Sequence, residues 1–298
     1  MSALTFAVGG DTIQALFVEA TDDALTVDGV APCVVMAHGM AGTVDSGLEP
    51  FAKALSAAGL HVLAFDYRGF GRSGGAVRQT VSVERQLEDY RAALAAAAKA
   101  PGVDPSRLVL WGVSLAGGHV FELAASERVA AAVALVPLVS GMAAGVHAAR
   151  SHPAAQLAKA SVRGIGARVS EKLGSTVTMP VVGPPGSKAA FSLPGAEEAY
   201  LAIAGPTWRN EVAASITMEL GSYRPAKHAK HIAVPMLVQI ADLDRSAPPY
   251  ATAKAAFKAR AEVRHYPCDH FDVFSGEWHE AAVRHQISFL TRHLGAKA

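Results

Sequence analysis

Ser114 is the residue whose surroundings in the sequence point most clearly to chemistry. It lies in Trp111-Gly112-Val113-Ser114-Leu115-Ala116-Gly117-Gly118, between a run typical of a strand and a stretch typical of a helix. A serine on so abrupt a turn adopts a strained backbone conformation that exposes its Oγ, and small residues two positions to either side let the chain approach itself. Gly112 meets this demand, and Ala116 meets it with one methyl more than glycine. The segment predicts a nucleophilic serine, and the alternative is a glycine-rich turn that happens to contain a serine.

A nucleophilic serine needs two partners, and candidates for both occur later in the chain. Serine is a weak nucleophile at neutral pH, so it requires an imidazole base, which a carboxylate must hold in the correct tautomer. The apolar run 236–240 leads to Asp242 and Asp244, and the run 263–266 leads to His270. In a parallel sheet these positions share the carboxyl-terminal edge, where active sites form. Asp244 is the favoured acid, and Asp242 is the alternative.

The segments that would position these residues alternate between strands and helices. Four apolar runs lack the polar alternation of a half-exposed strand, as expected for strands buried on both faces: 32–39, 61–66, 107–111 and 130–137. Helical patterns follow them, at 48–58, 82–99 and from 114 onwards. The alternation resumes near the end of the chain, with strands at 236–240 and 262–266 and helices at 249–260 and 278–294. With an N-terminal hairpin joined by Gly9-Gly10-Asp11, this pattern predicts an α/β fold whose mostly parallel sheet has helices on both faces.

The alternation breaks between residues 141 and 231. This stretch is rich in proline, glycine, serine and alanine, with helical patterns near 152–173 and 195–218. We interpret it as a cap inserted into one core formed by residues 1–140 and 232–298, and elaborated loops are the alternative. Three large apolar side chains of the cap are expected to contact substrate, unless they form the cap's own core: Phe191, Trp208 and Met218.

Taken together, these motifs resemble the α/β-hydrolase superfamily. The resemblance spans roughly 30–140 and 232–295, and its elements come in the family's order: His38-Gly39 after a strand, the loop 66–73, the turn 112–118, Asp244 with Pro248 four residues on, and His270. Within the superfamily, the sequence is similar to the dienelactone-hydrolase-like and serine-aminopeptidase-like group. That group includes bacterial esterases and fungal polyketide-transferring hydrolases.

The resemblance implies a fold, a site and an activity. It implies that Ser114 is the nucleophile, His270 the general base and Asp244 the orienting acid, and that the backbone N–H groups of Met40 and Leu115 form the oxyanion hole. The implied reaction is hydrolysis of a carboxylic ester, thioester, lactone or amide through an acyl-enzyme, with no cofactor. The alternatives are acyl transfer through the same intermediate and a catalytically silent binding protein.

Composition and charge limit the classes of binding partner that the sequence predicts. The 298 residues include 27 basic and 26 acidic side chains, a formal net charge of +1, so nucleic acid is not an expected partner. Charged residues or helix breakers interrupt every apolar stretch before it reaches eighteen residues, so a membrane span is not expected. Two cysteines and no signal-like N-terminus favour the cytoplasm, and isolated histidine pairs such as His228 and His231 favour no metal site. The expected partner is a small ester-like molecule with an apolar acyl group, and a homodimer is left open.

Overall fold

Eight strands form one sheet at the centre of the structure, a computed structural model that describes residues 1–150 and 153–295. The strands of this sheet are β1 (Ser2–Val8), β2 (Asp11–Val18), β3 (Ala31–Ala37), β4 (His61–Phe65), β5 (Val103–Val113), β6 (Ala131–Leu135), β9 (Met236–Ala241) and β10 (Glu262–Tyr266). Two short strands, β7 (Thr178–Met179) and β8 (Val212–Ala213), lie outside it. The sheet order is β1-β2-β4-β3-β5-β6-β9-β10, with parallel neighbours except in the β1–β2 and β2–β4 pairs. The mostly parallel sheet and the N-terminal hairpin are therefore confirmed.

Helices cover both faces of this sheet. They are α1 (Glu49–Ala57), α2 (Val83–Ala97), α3 (Leu115–Leu123), α4 (Gly141–Ala148), α5 (Ala154–Lys172), α6 (Ala196–Leu201), α7 (Ile216–Ser222), α8 (Pro249–Ala259) and α9 (Gly276–Leu294). Val35 and Leu110 pack in a core with α2, α3 and α8, whereas Val34 and Trp111 pack in a second core with α1 and α9. Because successive side chains of a strand point to opposite faces, both faces are buried, which explains the uninterrupted apolar runs.

The parallel strands bring several loops to one edge of the sheet. β3 and β5 pair up to Ala37 and Gly112, and β9 and β10 pair up to Ala241 and Tyr266. All four strands run in the same direction, so the segments that follow them leave the sheet at the same edge. Ser114 and the acid and histidine candidates follow three of these strands.

Residues 141–231 differ from the expected pattern in detail. The helical pattern near 195–218 corresponds to two short helices with other structure between them, because α6 ends at Leu201 and α7 begins at Ile216. Pro206 lies between them and cannot supply a helical N–H, and β8 instead pairs with β7 in a separate two-stranded sheet. Helix α4 was not predicted, since two glycines weaken its helical signal. Residue 152, at the start of the other predicted pattern, lies outside the described residues.

Among the residues that the structure describes, no helix combines the length and the apolar character needed to cross a bilayer.

Candidate active site

Ser114 lies on a sharp turn between β5 and α3. Its φ of 57° and ψ of −117° are strained for a residue with a side chain, and they place it directly before the first residue of the helix. A Cβ added at Gly112 would approach the backbone carbonyl carbon of Ala116 to 2.4 Å, so the turn requires glycine at position 112. The added Cβ at position 112 would meet the backbone of residue 116 and not its side chain. The methyl group of Ala116 is itself buried within the turn. Alanine in place of the usual second glycine is therefore compatible with the turn.

The loop after β3 passes beside Ser114. A Cβ added at Gly39 would lie 2.7 Å from the Cβ of Ser114, so only glycine fits at this crossing. The next residue, Met40, lines the same cavity as Ser114 and Leu115. Within residues 1–150 and 153–295, the N–H groups of Met40 and Leu115 donate to no other protein group. Two free N–H groups beside a nucleophile, one of them at a helix N-terminus, are suited to stabilising an oxyanion.

His270 and Asp244 complete a hydrogen-bonded chain with Ser114. His270 Nδ1 lies 2.6 Å from Asp244 Oδ2, and His270 Nε2 lies 3.0 Å from Ser114 Oγ. The other oxygen of Asp244 accepts hydrogen bonds from the N–H groups of Ser246, at 2.7 Å, and Ala247, at 2.6 Å. The carboxylate is thereby fixed with Nδ1–H donating to it, which leaves Nε2 free to accept the Ser114 proton. The arrangement can convert the serine hydroxyl into a nucleophile.

The electrostatic setting of His270 favours proton uptake. Burial by itself lowers the pKa of this imidazole, but the charge and hydrogen bond of Asp244, with a further contribution from Asp269, outweigh burial and raise the pKa above its ordinary value. His270 and Asp244 are almost completely buried, whereas Ser114 is partly exposed to the cavity. The imidazole of His270 is thus shielded from bulk water, and the side chain of Ser114 is open to the cavity.

The structure distinguishes between the two aspartates that follow β9. Asp242 lies on the surface, where its Oδ1 is 2.6 Å from Nδ1 of exposed His265. Of these two aspartates, Asp244 is the one whose carboxylate contacts the His270 imidazole. Asp269 also has a structural partner, because it accepts a hydrogen bond of 2.6 Å from Arg245 Nε and one of 2.8 Å from the His270 N–H.

A buried polar network lies beside the turn, and no pattern in the sequence predicts it. His119 on α3 lies 3.0 Å from Gln86 Oε1 through Nε2 and 2.7 Å from the Tyr223 hydroxyl through Nδ1. The same hydroxyl lies 3.2 Å from the Leu115 carbonyl oxygen. Burial lowers the pKa of His119 to about 3, so this imidazole is neutral. These residues are far apart in the chain, and none stands in a recognisable motif.

Ser114 opens into a cavity of about 660 Å³ with mainly apolar walls. Helices α4, α5 and α7 contribute most of the lining, together with the segment around Phe191. Of the three cap residues expected to contact substrate, only Phe191 lines this cavity. Trp208 and Met218 are not among the residues that line it.

Trp208 and Met218 lie away from the cavity for different reasons. The ring of Trp208 packs 5.0 Å from that of Tyr200, and neither residue lines the cavity, whereas Met218 is exposed on α7. Tyr200 in turn contacts the loop that follows β3, with its hydroxyl 3.4 Å from the Met40 carbonyl oxygen. Tyr200 thus lies against the loop that borders Ser114.

In the described part of the chain, no three His, Cys, Asp or Glu side chains are grouped so that they could hold a metal ion. Burial raises the pKa of both Cys33 and Cys268 to about 12, so neither thiol is a ready nucleophile.

Sequence comparison places the chain among known families. A family model described as serine aminopeptidase, S33, matches residues 29–283. The quorum-quenching protein AidA of Acinetobacter baumannii (strain MDR-ZJ06) is 35% identical over 281 residues, which cover 91% of this chain and 90% of AidA. The polyketide transferase GrgF of Penicillium sp. is 32% identical over a shorter stretch of 109 residues, 36% of this chain and 37% of GrgF.

Solved structures agree with this placement at the level of the fold. The complex of DcsB with its substrate analogue has a TM-score of 0.78 at 24% identity, covering 98% of this chain and 99% of DcsB. The α/β hydrolase GrgF from Penicillium sp. sh18 has a TM-score of 0.77 at 21% identity, covering 98% of each chain. The predicted resemblance is thereby confirmed, and the chain belongs to the serine aminopeptidase S33 family of α/β hydrolases.

Proposed function

We propose that this chain is a serine hydrolase that cleaves an ester, thioester or lactone through an acyl-enzyme. The observation that carries the proposal is the position of His270, between Asp244 at 2.6 Å and Ser114 Oγ at 3.0 Å. This chain of hydrogen bonds stands at a mainly apolar cavity. Family membership makes hydrolytic chemistry the expected activity, and the site supplies a mechanism for it.

The first half-reaction acylates Ser114. Its Oγ attacks the substrate carbonyl carbon while His270 Nε2 takes the hydroxyl proton, and Asp244 stabilises the imidazolium. The N–H groups of Met40 and Leu115 stabilise the negative charge on the tetrahedral oxygen. When the intermediate collapses, His270 gives its proton to the leaving group.

The second half-reaction releases the acid. His270 accepts a proton from water, the hydroxide attacks the acyl carbon, and the proton then returns to Ser114 Oγ. No cofactor takes part in either half of this mechanism.

Residues 141–231 are proposed to act as the cap that selects the acyl group. Helices α4, α5 and α7 supply much of the cavity wall, and their contribution to it is mostly aliphatic. A small molecule with an apolar acyl chain fits such a cavity. A signal molecule of this class also agrees with the quorum-quenching role in the name of AidA.

A series of p-nitrophenyl esters of rising chain length tests the proposal. We expect turnover by the purified chain to be greater for medium acyl chains than for acetate, and Ser114→Ala to lower kcat by about 10⁴-fold or more. Glu127→Gln, on the surface, serves as the control and should behave as the unmodified chain. Equal turnover by Ser114→Ala would contradict the proposed mechanism.

Acyl transfer is the second candidate, favoured by the similarity to the polyketide transferase GrgF. It uses the same acyl-enzyme, but an alcohol or amine replaces water in the second half-reaction. The test adds a soluble alcohol to the ester assay and measures the ratio of new ester to free acid. A transferase forms mainly the new ester at acceptor concentrations that leave a hydrolase forming mainly the acid.

A further inference from the structure

Helix α5 presents apolar side chains on the side that faces away from the protein. Val162, Ile165, Val169 and Leu173 are 70%, 52%, 55% and 81% exposed. Their spacing of three or four residues places them on one face of the helix, with Leu173 directly after its last residue. We call these four residues the outer stripe. Single exposed apolar residues are ordinary, but four in a row along one helix indicate a surface that binds something.

The opposite face of α5 is occupied. Leu157, Ala160 and Ser161 line the cavity that contains Ser114, and Ala167 is buried. The helix also packs closely on α7, because a Cβ added at Gly164 would lie 1.9 Å from Thr217 Oγ1. The outer stripe is therefore not needed to attach α5 to the protein.

Basic side chains border the outer stripe on both sides. At 100° per residue, Lys159 and Arg163 fall on one flank and Lys172 on the other. In the part of the chain that the structure describes, none of these three forms an ion pair, whereas Arg168 is paired with Glu171 at 3.6 Å and Glu219 at 3.5 Å. An apolar stripe with unpaired cations along its edges has the form of a helix that lies in the surface of an anionic bilayer.

We propose that α5 docks on an anionic lipid surface through the outer stripe. The acyl region takes up the four apolar side chains while the lipid phosphates pair with Lys159, Arg163 and Lys172. Self-association of the same stripe would bring cations of two copies together, so the charge pattern favours lipid over a second copy. Delivery of an amphiphilic substrate from lipid to the cavity beneath α5 rests on the proposed function, whereas the docking itself does not.

Vesicle co-sedimentation of the full chain carrying Ser114→Ala tests the docking without any hydrolysis of lipid. The vesicles are phosphatidylcholine alone and phosphatidylcholine with phosphatidylglycerol. We expect binding to the mixed vesicles that weakens with salt, and little binding to phosphatidylcholine alone. Replacing Lys159, Arg163 and Lys172 by glutamine should lower the partition coefficient about fivefold for each charge removed.

Matched variants separate the stripe from general surface effects. Val162→Ser, Val169→Ser and Leu173→Ser together should abolish binding, while Phe257→Ser, at an exposed aromatic on α8, should not change it. Lys230→Gln, Lys254→Gln and Lys258→Gln provide the charge control, and thermal unfolding checks that every variant is folded. Absence of binding to mixed vesicles, or equal losses in the control variants, would overturn the proposal. A dimer in sedimentation velocity that the stripe variant dissociates would also overturn it, because the partner would then be a second copy.

Because these measurements use protein without the Ser114 hydroxyl, they do not depend on the proposed function. Loss of ester turnover in the Ser114→Ala variant together with failure to bind vesicles would leave the catalytic account standing and remove only the docking.

Discussion

Asp244 and Asp242 are the two candidates for the acid that orients His270, and substitution of each distinguishes between them. The carboxylate of Asp244 holds His270 in one tautomer, so Asp244→Asn should keep the geometry and lower kcat by roughly 10³- to 10⁴-fold. Asp242→Asn loses only a surface contact with His265 and should change kcat less than twofold. Steady-state ester hydrolysis by the two variants makes the comparison, and comparable losses in both would contradict the assignment of the acid.

The raised pKa of His270 predicts the acid side of the pH profile. The base must be neutral to accept the Ser114 proton, so kcat/KM should fall as the pH decreases through the raised pKa, above the ordinary histidine value of about 6.5. In Asp244→Asn the negative charge that raises the pKa of His270 is removed while the burial of the imidazole remains. The fall of kcat/KM on the acid side should therefore move to lower pH. A limb at the same pH in both proteins would mean that Asp244 does not set the protonation of His270.

The candidate catalytic residues could be predicted because each of them follows a strand. Ser114, Asp244 and His270 come directly or soon after apolar runs, and parallel strands bring such positions to one edge. His119 and Tyr223 could not be predicted in the same way. Their partnership is set by how α3 packs against the end of the 141–231 segment, and neither residue differs in type or spacing from an ordinary core residue.

At the scale of elements, the buried His119 on α3 is expected to make the stability of the fold depend on pH. Its pKa is lowered in the folded state, so at pH below about 6.5 protons bind the unfolded chain preferentially and the free energy of unfolding falls towards pH 3. His119→Gln removes this titrating group. The slope of the free energy of unfolding against pH should therefore fall by about 1.4 kcal/mol per pH unit between pH 5.5 and 4. Urea unfolding at several pH values measures it. An unchanged pH dependence in the variant would show that His119 takes up no proton on unfolding.

The elements of the central sheet could be predicted from sequence more fully than those of residues 141–231. Core strands are buried on both faces, so their apolar runs are unambiguous, as in β3 and β9. Between α6 and α7, the chain instead follows proline, local turns and a two-residue strand that pairs with a distant segment. Alanine-rich composition predicts helix in such a region, but tertiary pairing decides the outcome.

For the molecule as a whole, the cavity is expected to determine which acyl chain is accepted. Phe191 lines its wall, so Phe191→Ala should lengthen the preferred chain and change the ratio of kcat/KM for long and short esters by about tenfold.

Trp208→Ala is the matched comparison. Because this side chain packs on Tyr200, is half-buried and does not line the cavity, the variant should lose about 2 kcal/mol of stability and keep its chain-length preference. Ester profiles and urea unfolding measure both effects. A changed profile for Trp208→Ala with an unchanged one for Phe191→Ala would reverse the roles of the two residues.

The most direct test of the whole account is covalent labelling by a fluorophosphonate probe, mapped by mass spectrometry. The probe reacts with a serine that a histidine activates beside an oxyanion hole, so it reports the arrangement of Ser114, His270, Met40 and Leu115 in one measurement. The account predicts one adduct per chain, located on Ser114, and no adduct on the Ser114→Ala protein. An unlabelled chain, or an adduct on another serine such as Ser73, would contradict it.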